Sequence, residues 1–137
     1  MENELINIGK KSKKAIDFRI NSKKKNKVLE DYCNLIKKNK KLIINQNKKD
    51  VYDAKKRGLK ENLIDRLILD EKKIFNIIKS IKSIIKLKDP TNIILEKWKR
   101  PNGLNISKIS IPLGVIGVIY ESRPNVTSDI ASLCFKS

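Results

Sequence analysis

Along the first ninety positions, apolar residues recur every three or four places, the spacing that lines one face of a helix. Leu5, Ile8, Ala15, Ile16 and Ile20 give a loose form of the pattern over residues 3–20. A longer stretch opens at Ser22 and sets Val28, Leu29, Tyr32, Cys33, Leu35 and Ile36 on one stripe. It continues through Leu42, Ile43, Ile44, Val51 and Ala54. The polar triplet Asn45-Gln46-Asn47 predicts a break, with Asn45 or Asn47 capping the helix that follows. Gly58, directly after Lys55-Lys56-Arg57, predicts a stop: cations sit near the last carbonyls, then comes a residue free to turn left-handed.

The sharpest pattern spans 71–87. Asp70 suits the N-cap and Glu71 the first turn. Ile74, Ile77, Ile78, Ile81, Ile84 and Ile85 share one face, and Lys72, Lys73, Lys79, Lys82 and Lys86 fill the other. Such a helix suits a core with a solvated back, in preference to an anionic membrane surface. The predicted helical region is therefore 3–87.

After Asp89-Pro90 the period changes to two. Ile93–Lys99 and Leu104–Ile111 are strand-like, with Arg100-Pro101-Asn102-Gly103 between them as a turn, Pro early and Gly late. These predict a hairpin over 92–111. Residues 112–120 then form an apolar run that stops at Glu121-Ser122-Arg123-Pro124. A strand buried on both faces of a parallel sheet reads this way, and open α/β sheets bind ligands at the carboxyl ends of such strands. A helix from Asn125 or Pro124, over 125–136, completes the pattern.

Composition adjusts this picture in one respect. The net charge of +17 on 137 residues invites a nucleic-acid reading. However, 27 Lys, 23 Ile and 14 Asn make up 64 of the 137 residues, and all three are inflated together by AT-rich codons. Arg appears five times, and aromatics are 5%. A phosphate- and base-reading surface enriches both, so no nucleic-acid partner is expected. The lack of any His, with Cys33 and Cys134 far apart, leaves no zinc set or Cys–His dyad, and no metal site is expected. The acidic start Met1-Glu2-Asn3-Glu4 does not resemble a signal peptide, and no apolar run reaches membrane-spanning length. The expectation is a cytoplasmic chain with no membrane partner.

The stretch Pro112-Leu113-Gly114-Val115-Ile116-Gly117-Val118-Ile119-Tyr120-Glu121-Ser122-Arg123-Pro124-Asn125-Val126-Thr127, with Asp129, Ala131-Ser132-Leu133-Cys134 and Lys136, resembles gamma-glutamyl phosphate reductases. These are glutamate-5-semialdehyde dehydrogenases of the aldehyde dehydrogenase superfamily. Asn47 to Asp50, Ala54, Arg57-Gly58-Leu59, Leu63-Ile64-Asp65-Arg66-Leu67 and Asp89-Pro90 fall in the expected order. The resemblance implies an α/β, aldehyde dehydrogenase-like fold. Residues 1–137 would be the amino-terminal part of its NADP-binding domain: the helices, the hairpin and the first strand of the cofactor-binding sheet. It implies NADPH as cofactor, L-glutamate 5-phosphate as substrate, a place in proline biosynthesis, and a homo-oligomeric intact enzyme. The family's nucleophilic cysteine lies beyond this stretch, so the chain alone is expected to turn nothing over. The alternatives are a basic helical binding module and a nonfunctional truncation.

The same resemblance assigns residues. Tyr120, Glu121 and Ser122 would border the cofactor. Asn125 would be an oxyanion donor, although Asn is also a good helix cap. Arg123 is a candidate for the substrate's phosphate or carboxylate, or for a structural ion pair. Gly114 and Gly117 would make room for a cofactor or helix, or for close packing. Arg66 is expected to pair locally with Asp65 or Asp70. Both cysteines are expected to be small buried thiols, Cys134 in a helix packed on the sheet.

Overall fold

The computed structural model describes residues 2–15, 20–121 and 123–137. Ile16 and Ser122 lie outside the described residues. In chain order the elements are α1 (Glu2–Ala15), α2 (Ser22–Lys38), α3 (Lys40–Lys56), α4 (Glu61–Leu67), α5 (Glu71–Lys86), β1 (Ile94–Lys99), β2 (Asn105–Ile109) and α6 (Pro124–Lys136). They form two compact units, one of residues 1–21, 88–117 and 137, the other of 22–87 and 118–136.

In the second unit α5 is the central helix, packed against α2, α3 and α6. Asp70 caps it as expected, its Oδ1 accepting the Lys73 N–H at 2.6 Å. The isoleucine stripe does what its spacing predicts. Ile74, Ile77, Ile81 and Ile84 are buried, Ile81 with 0% of its surface exposed, among Leu29, Cys33 and Ile36 of α2 and Leu69. Each such side chain contributes about 1.5–3 kcal/mol through removal from water.

The predicted break at Asn45-Gln46-Asn47 does not occur there. The chain breaks at Asn39, whose backbone N–H and side-chain Nδ2 both donate to the Leu35 carbonyl, at 3.0 and 2.9 Å. That satisfies one of the orphan carbonyls at the end of α2. α3 then runs straight through the triplet. Asn47 neither caps nor competes with its own backbone. Its Nδ2 donates to Leu67 O at 2.9 Å, and its Oδ1 accepts the Leu69 N–H at 2.7 Å. One buried amide thus ties α3 to the link between α4 and α5. At Gly58 (φ +72°) the expected stop is seen. The Leu59 N–H bonds Ala54 O at 3.1 Å and the Gly58 N–H bonds Lys55 O at 3.0 Å, a Schellman closure.

α6 buries Ser128, Ser132 and Lys136, one turn apart, and seats Phe135 against the core cluster. The Ser128 and Tyr32 hydroxyls meet at 3.0 Å. Lys136 Nζ donates to Asn26 Oδ1 at 2.5 Å, and Lys25 Nζ donates to Lys136 O at 2.9 Å, joining α2 to α6. Cys134, expected to be buried, is exposed, because α6 turns its serine line inward and carries Cys134 outward. Cys33 is buried as expected.

In the first unit, β1 and β2 form an antiparallel hairpin with Ile94 opposite Ile109, Trp98 opposite Ile106 and Lys99 opposite Asn105. A bulge lies between Ile94 and Glu96. The Arg100–Gly103 turn closes through Gly103 N–H to Arg100 O at 2.9 Å, with Gly103 at φ +90°. Only a residue without a side chain adopts that angle cheaply.

Residues 111–121 have no regular secondary structure, and their apolar side chains are exposed: Ile111 at 78%, Leu113 at 85%, Ile119 at 103%. The burial expected of 112–120 is therefore not observed. No described segment pairs with it, and Gly114 at φ +94° departs from strand geometry. A Cβ built at Gly117 would meet nothing within 4 Å, so close packing does not explain that glycine among the described residues.

Candidate functional site

The chain enters the site at Tyr120. Its hydroxyl meets Thr127 Oγ1 at 2.9 Å, pinning the turn to the first turn of α6. Glu121 Oε2 then accepts from Arg123 Nε at 3.0 Å and faces Arg66 Nη1 at 3.5 Å. The Arg123 N–H also reaches Glu121 O at 2.6 Å. A single carboxylate oxygen thus holds two guanidiniums, one from the turn and one from α4. All three side chains are substantially exposed, so the contacts orient more than they stabilise. Arg66 pairs here and not with Asp65 or Asp70, because its side chain points toward the turn.

Pro124 occupies the first helical position of α6, where its missing N–H costs nothing. Asn125 is therefore inside the first turn and is not the N-cap. The first turn contains no acid, so Asp129 lies one turn further on. The exposed Asn125 amide donates through Nδ2 toward Asp129 Oδ2 at 3.5 Å, and Ser80 of α5 donates through Oγ to Asp129 Oδ1 at 2.9 Å.

These residues line a cleft of about 380 Å³, whose polar walls are Arg66, Lys73, Asn76, Ser80, Asn125 and Asp129. Lys73 Nζ spans the end of α4, donating to Asp65 O at 3.0 Å and Ile68 O at 2.6 Å. Of the sequence-predicted site residues that are described, Asn125 alone lines this cleft. Arg123 borders a neighbouring depression with Leu42, Ile43, Asn47 and Thr127, and Leu69 and Pro124 line both. Ser122 lies outside the described residues. From sequence, Asp129 entered only as part of the motif and Lys73 only as part of a lysine face, and Ser80 and Asn76 were not singled out. The usable signals were the four-residue spacing of Asn125 and Asp129, and the uncharged Asn76 and Ser80 interrupting the lysine face of α5.

Neither thiol belongs to the cleft. Burial pushes the Cys33 thiol up from its ordinary range, outweighing the nearby Lys82 charge. Among the described residues no cluster of His, Cys, Asp and Glu could hold a metal, and no helix is long and apolar enough to cross a membrane.

Comparison with known proteins bears directly on this arrangement. The backbone superposes on the crystal structure of gamma-glutamyl phosphate reductase from Thermotoga maritima with a TM-score of 0.93 at 39% identity. The chain is homologous to the amino-terminal part of gamma-glutamyl phosphate reductases. The match covers 97% of this chain and 33% of the Thermotoga chain. The reductase structure from Saccharomyces cerevisiae matches with a TM-score of 0.90 at 31% identity, over 96% of this chain and 34% of its own. Among curated proteins, the gamma-glutamyl phosphate reductase of Nautilia profundicola is 46% identical over 127 residues, 93% of this chain. That of Clostridium tetani is 46% identical over 135 residues, 97% of this chain. The chain spans about a third of the length of these relatives, 31% and 32%. No family model matches the chain. The helices and hairpin described above are the architecture shared with the two reductase structures.

Proposed function

We propose that this chain forms the amino-terminal part of an NADPH-dependent reductase. The reaction converts L-glutamate 5-phosphate to L-glutamate 5-semialdehyde with release of phosphate, a step of proline biosynthesis. The observation that carries the reading is the common backbone, with a TM-score of 0.93 at 39% identity to the Thermotoga enzyme.

Asn125 is the oxyanion donor. One amide hydrogen reaches Asp129 Oδ2 at 3.5 Å, a long contact that biases the orientation of the group, and the other is left for the cleft. A donor preorganised in this way is worth about 3 kcal/mol where charge develops on a carbonyl oxygen. Arg123 binds an anionic group of the substrate that extends past Pro124 from the cleft into the neighbouring depression. Glu121 holds its Nε and leaves the terminal amino groups for a phosphate or carboxylate.

Tyr120, Glu121 and Ser122 border the cofactor. Exposed backbone from Val118 to Glu121, outside any ladder, offers amide and carbonyl groups that suit a dinucleotide's carboxamide and ribose hydroxyls. When bound, the cofactor supplies the hydride. The acyl-accepting thiolate comes from polypeptide outside this chain, since Cys33 is buried and Cys134 does not line the cleft. The substrate is a small molecule, the complete enzyme is a cytoplasmic homo-oligomer, and neither nucleic acid nor membrane is a partner.

The test is a hybrid enzyme in which these 137 residues replace the matching part of the Thermotoga reductase. It should reduce L-glutamate 5-phosphate with NADPH, and Asn125→Ala should lower kcat about a hundredfold. The chain alone should release no phosphate. A folded hybrid without turnover, or robust release by the chain alone, contradicts the reading.

A further inference from the structure

We infer that the cleft between α5 and α6 recognises the zwitterionic head of an α-amino acid, with Asp129 taking the α-ammonium and Arg66 and Lys73 taking the α-carboxylate. This rests on the reductase reading for the location of the reacting end, and adds how the other end of the substrate is held.

The cleft walls carry opposite charges. On one side Asp129 of α6 is half-buried and has no cationic partner among the described residues. Its two oxygens accept only from the neutral groups Ser80 Oγ, at 2.9 Å, and Asn125 Nδ2, at 3.5 Å. A carboxylate has about four acceptor positions, so two remain. A half-buried carboxylate met only by neutral donors is a ready partner for a ligand ammonium.

On the other side stand Arg66 and Lys73. Lys73 uses two of its three hydrogens on the carbonyls closing α4, and Arg66 meets Glu121 through Nη1 alone. Both keep donors for an anion. Asn76 on the same wall can donate or accept. A simple anion would use only the basic wall and leave Asp129 repelling it, and a simple amine would leave the basic wall unused. A ligand carrying both charges on one carbon satisfies both walls. The volume of about 380 Å³ suits an amino acid of moderate length.

The experiment is an NMR titration of the isotope-labelled 137-residue chain with three probes: L-glutamate, glutarate (no ammonium) and 4-aminobutyrate (no α-carboxylate). L-glutamate should bind about tenfold more tightly than either of the others, the loss expected for one charge-assisted pair. The shifts should centre on Ser80, Asn125 and Asp129. Asp129→Asn should weaken L-glutamate and, by removing the charge that repels it, leave glutarate bound at least as tightly as before, so that the preference disappears. Should that variant lose its dispersed spectrum, Ser80→Ala keeps the carboxylate but frees it, and should weaken L-glutamate severalfold without affecting glutarate. Equal binding of L-glutamate and glutarate, no binding of any probe, or a preference surviving both variants overturns the inference. Turnover by the hybrid enzyme is measured separately. An active hybrid with no preference refutes this inference alone, and an inactive hybrid with an Asp129-dependent preference refutes the reductase reading alone.

Discussion

Replacing Asn47 by alanine isolates the buried amide that joins α3 to the α4–α5 link. Asn47 is 6% exposed, and both its polar atoms are engaged, by Leu67 O at 2.9 Å and by the Leu69 N–H at 2.7 Å. The Leu69 bond is buried, and Leu69 itself is a core residue. Alanine leaves that N–H without a partner, at about 1–3 kcal/mol, and also loses the bond to Leu67 O, about 1 kcal/mol. The sum is about 2–4 kcal/mol. With a urea m-value of about 1–2 kcal/mol/M for a chain of this size, the midpoint should fall by about 1–4 M. Asn47→Asp is the discriminating control. It keeps the acceptor for Leu69 but sets a carboxylate oxygen against the Leu67 carbonyl, so it should be destabilising by at least about 1 kcal/mol at neutral pH. Urea titrations followed by circular dichroism read both. If Asn47→Ala falls within about 0.5 kcal/mol of the parent, the amide is not a structural tie and the argument fails.

Four further outcomes follow from the same structure. Ile81→Ala, at a position with no exposed surface, should lose about 2–5 kcal/mol by thermal or urea unfolding. Asp70→Ala removes the acceptor for the Lys73 N–H and should cost about 1 kcal/mol, with helix content falling at the amino end of α5. The thiols should separate kinetically: exposed Cys134 reacts promptly with a disulfide reagent, and Cys33 reacts only as the core opens. Because burial raises the Cys33 pKa above its ordinary 9.0, its contribution to stability is intact below that value. It is lost as pH rises through the folded-state pKa, measurable as a falling urea midpoint in alkaline buffers and absent in Cys33→Ser.

Elements whose evidence is local were legible in the sequence. The isoleucine period of α5, its Asp70 cap, the Gly58 stop and the Arg100–Gly103 turn each depend on residues within one or two turns of one another. What failed depended on distant partners. Asn47 read as a break because its side chain can compete with its own backbone, but the groups it satisfies lie twenty positions away. Cys134 read as buried because a free thiol is usually a small core residue and the resemblance places it in a helix packed on a sheet, but α6 turns serines inward. In the cleft, Asn125 is a residue that its motif had already brought forward. The carboxylate that orients it and the serine that holds that carboxylate come together only when α5 and α6 pack. Arg123, adjacent in sequence to Pro124-Asn125, borders a different depression, with its Nε held by Glu121 Oε2 at 3.0 Å.

The uncharged run from Ile111 to Tyr120 also governs how this polypeptide behaves in a test tube. Copies of a molecule bearing +17 repel one another, and that repulsion keeps their sticky ribbons from meeting. Adding salt shortens the reach of the repulsion to about 3 Å at 1 M and strengthens apolar adhesion when the anion is sulfate. Concentrated stocks should therefore cloud as ionic strength rises. Pro112, Gly114 and Gly117 interrupt the ribbon at intervals too short for a dry zipper to form, so the deposit should be amorphous and not fibrillar.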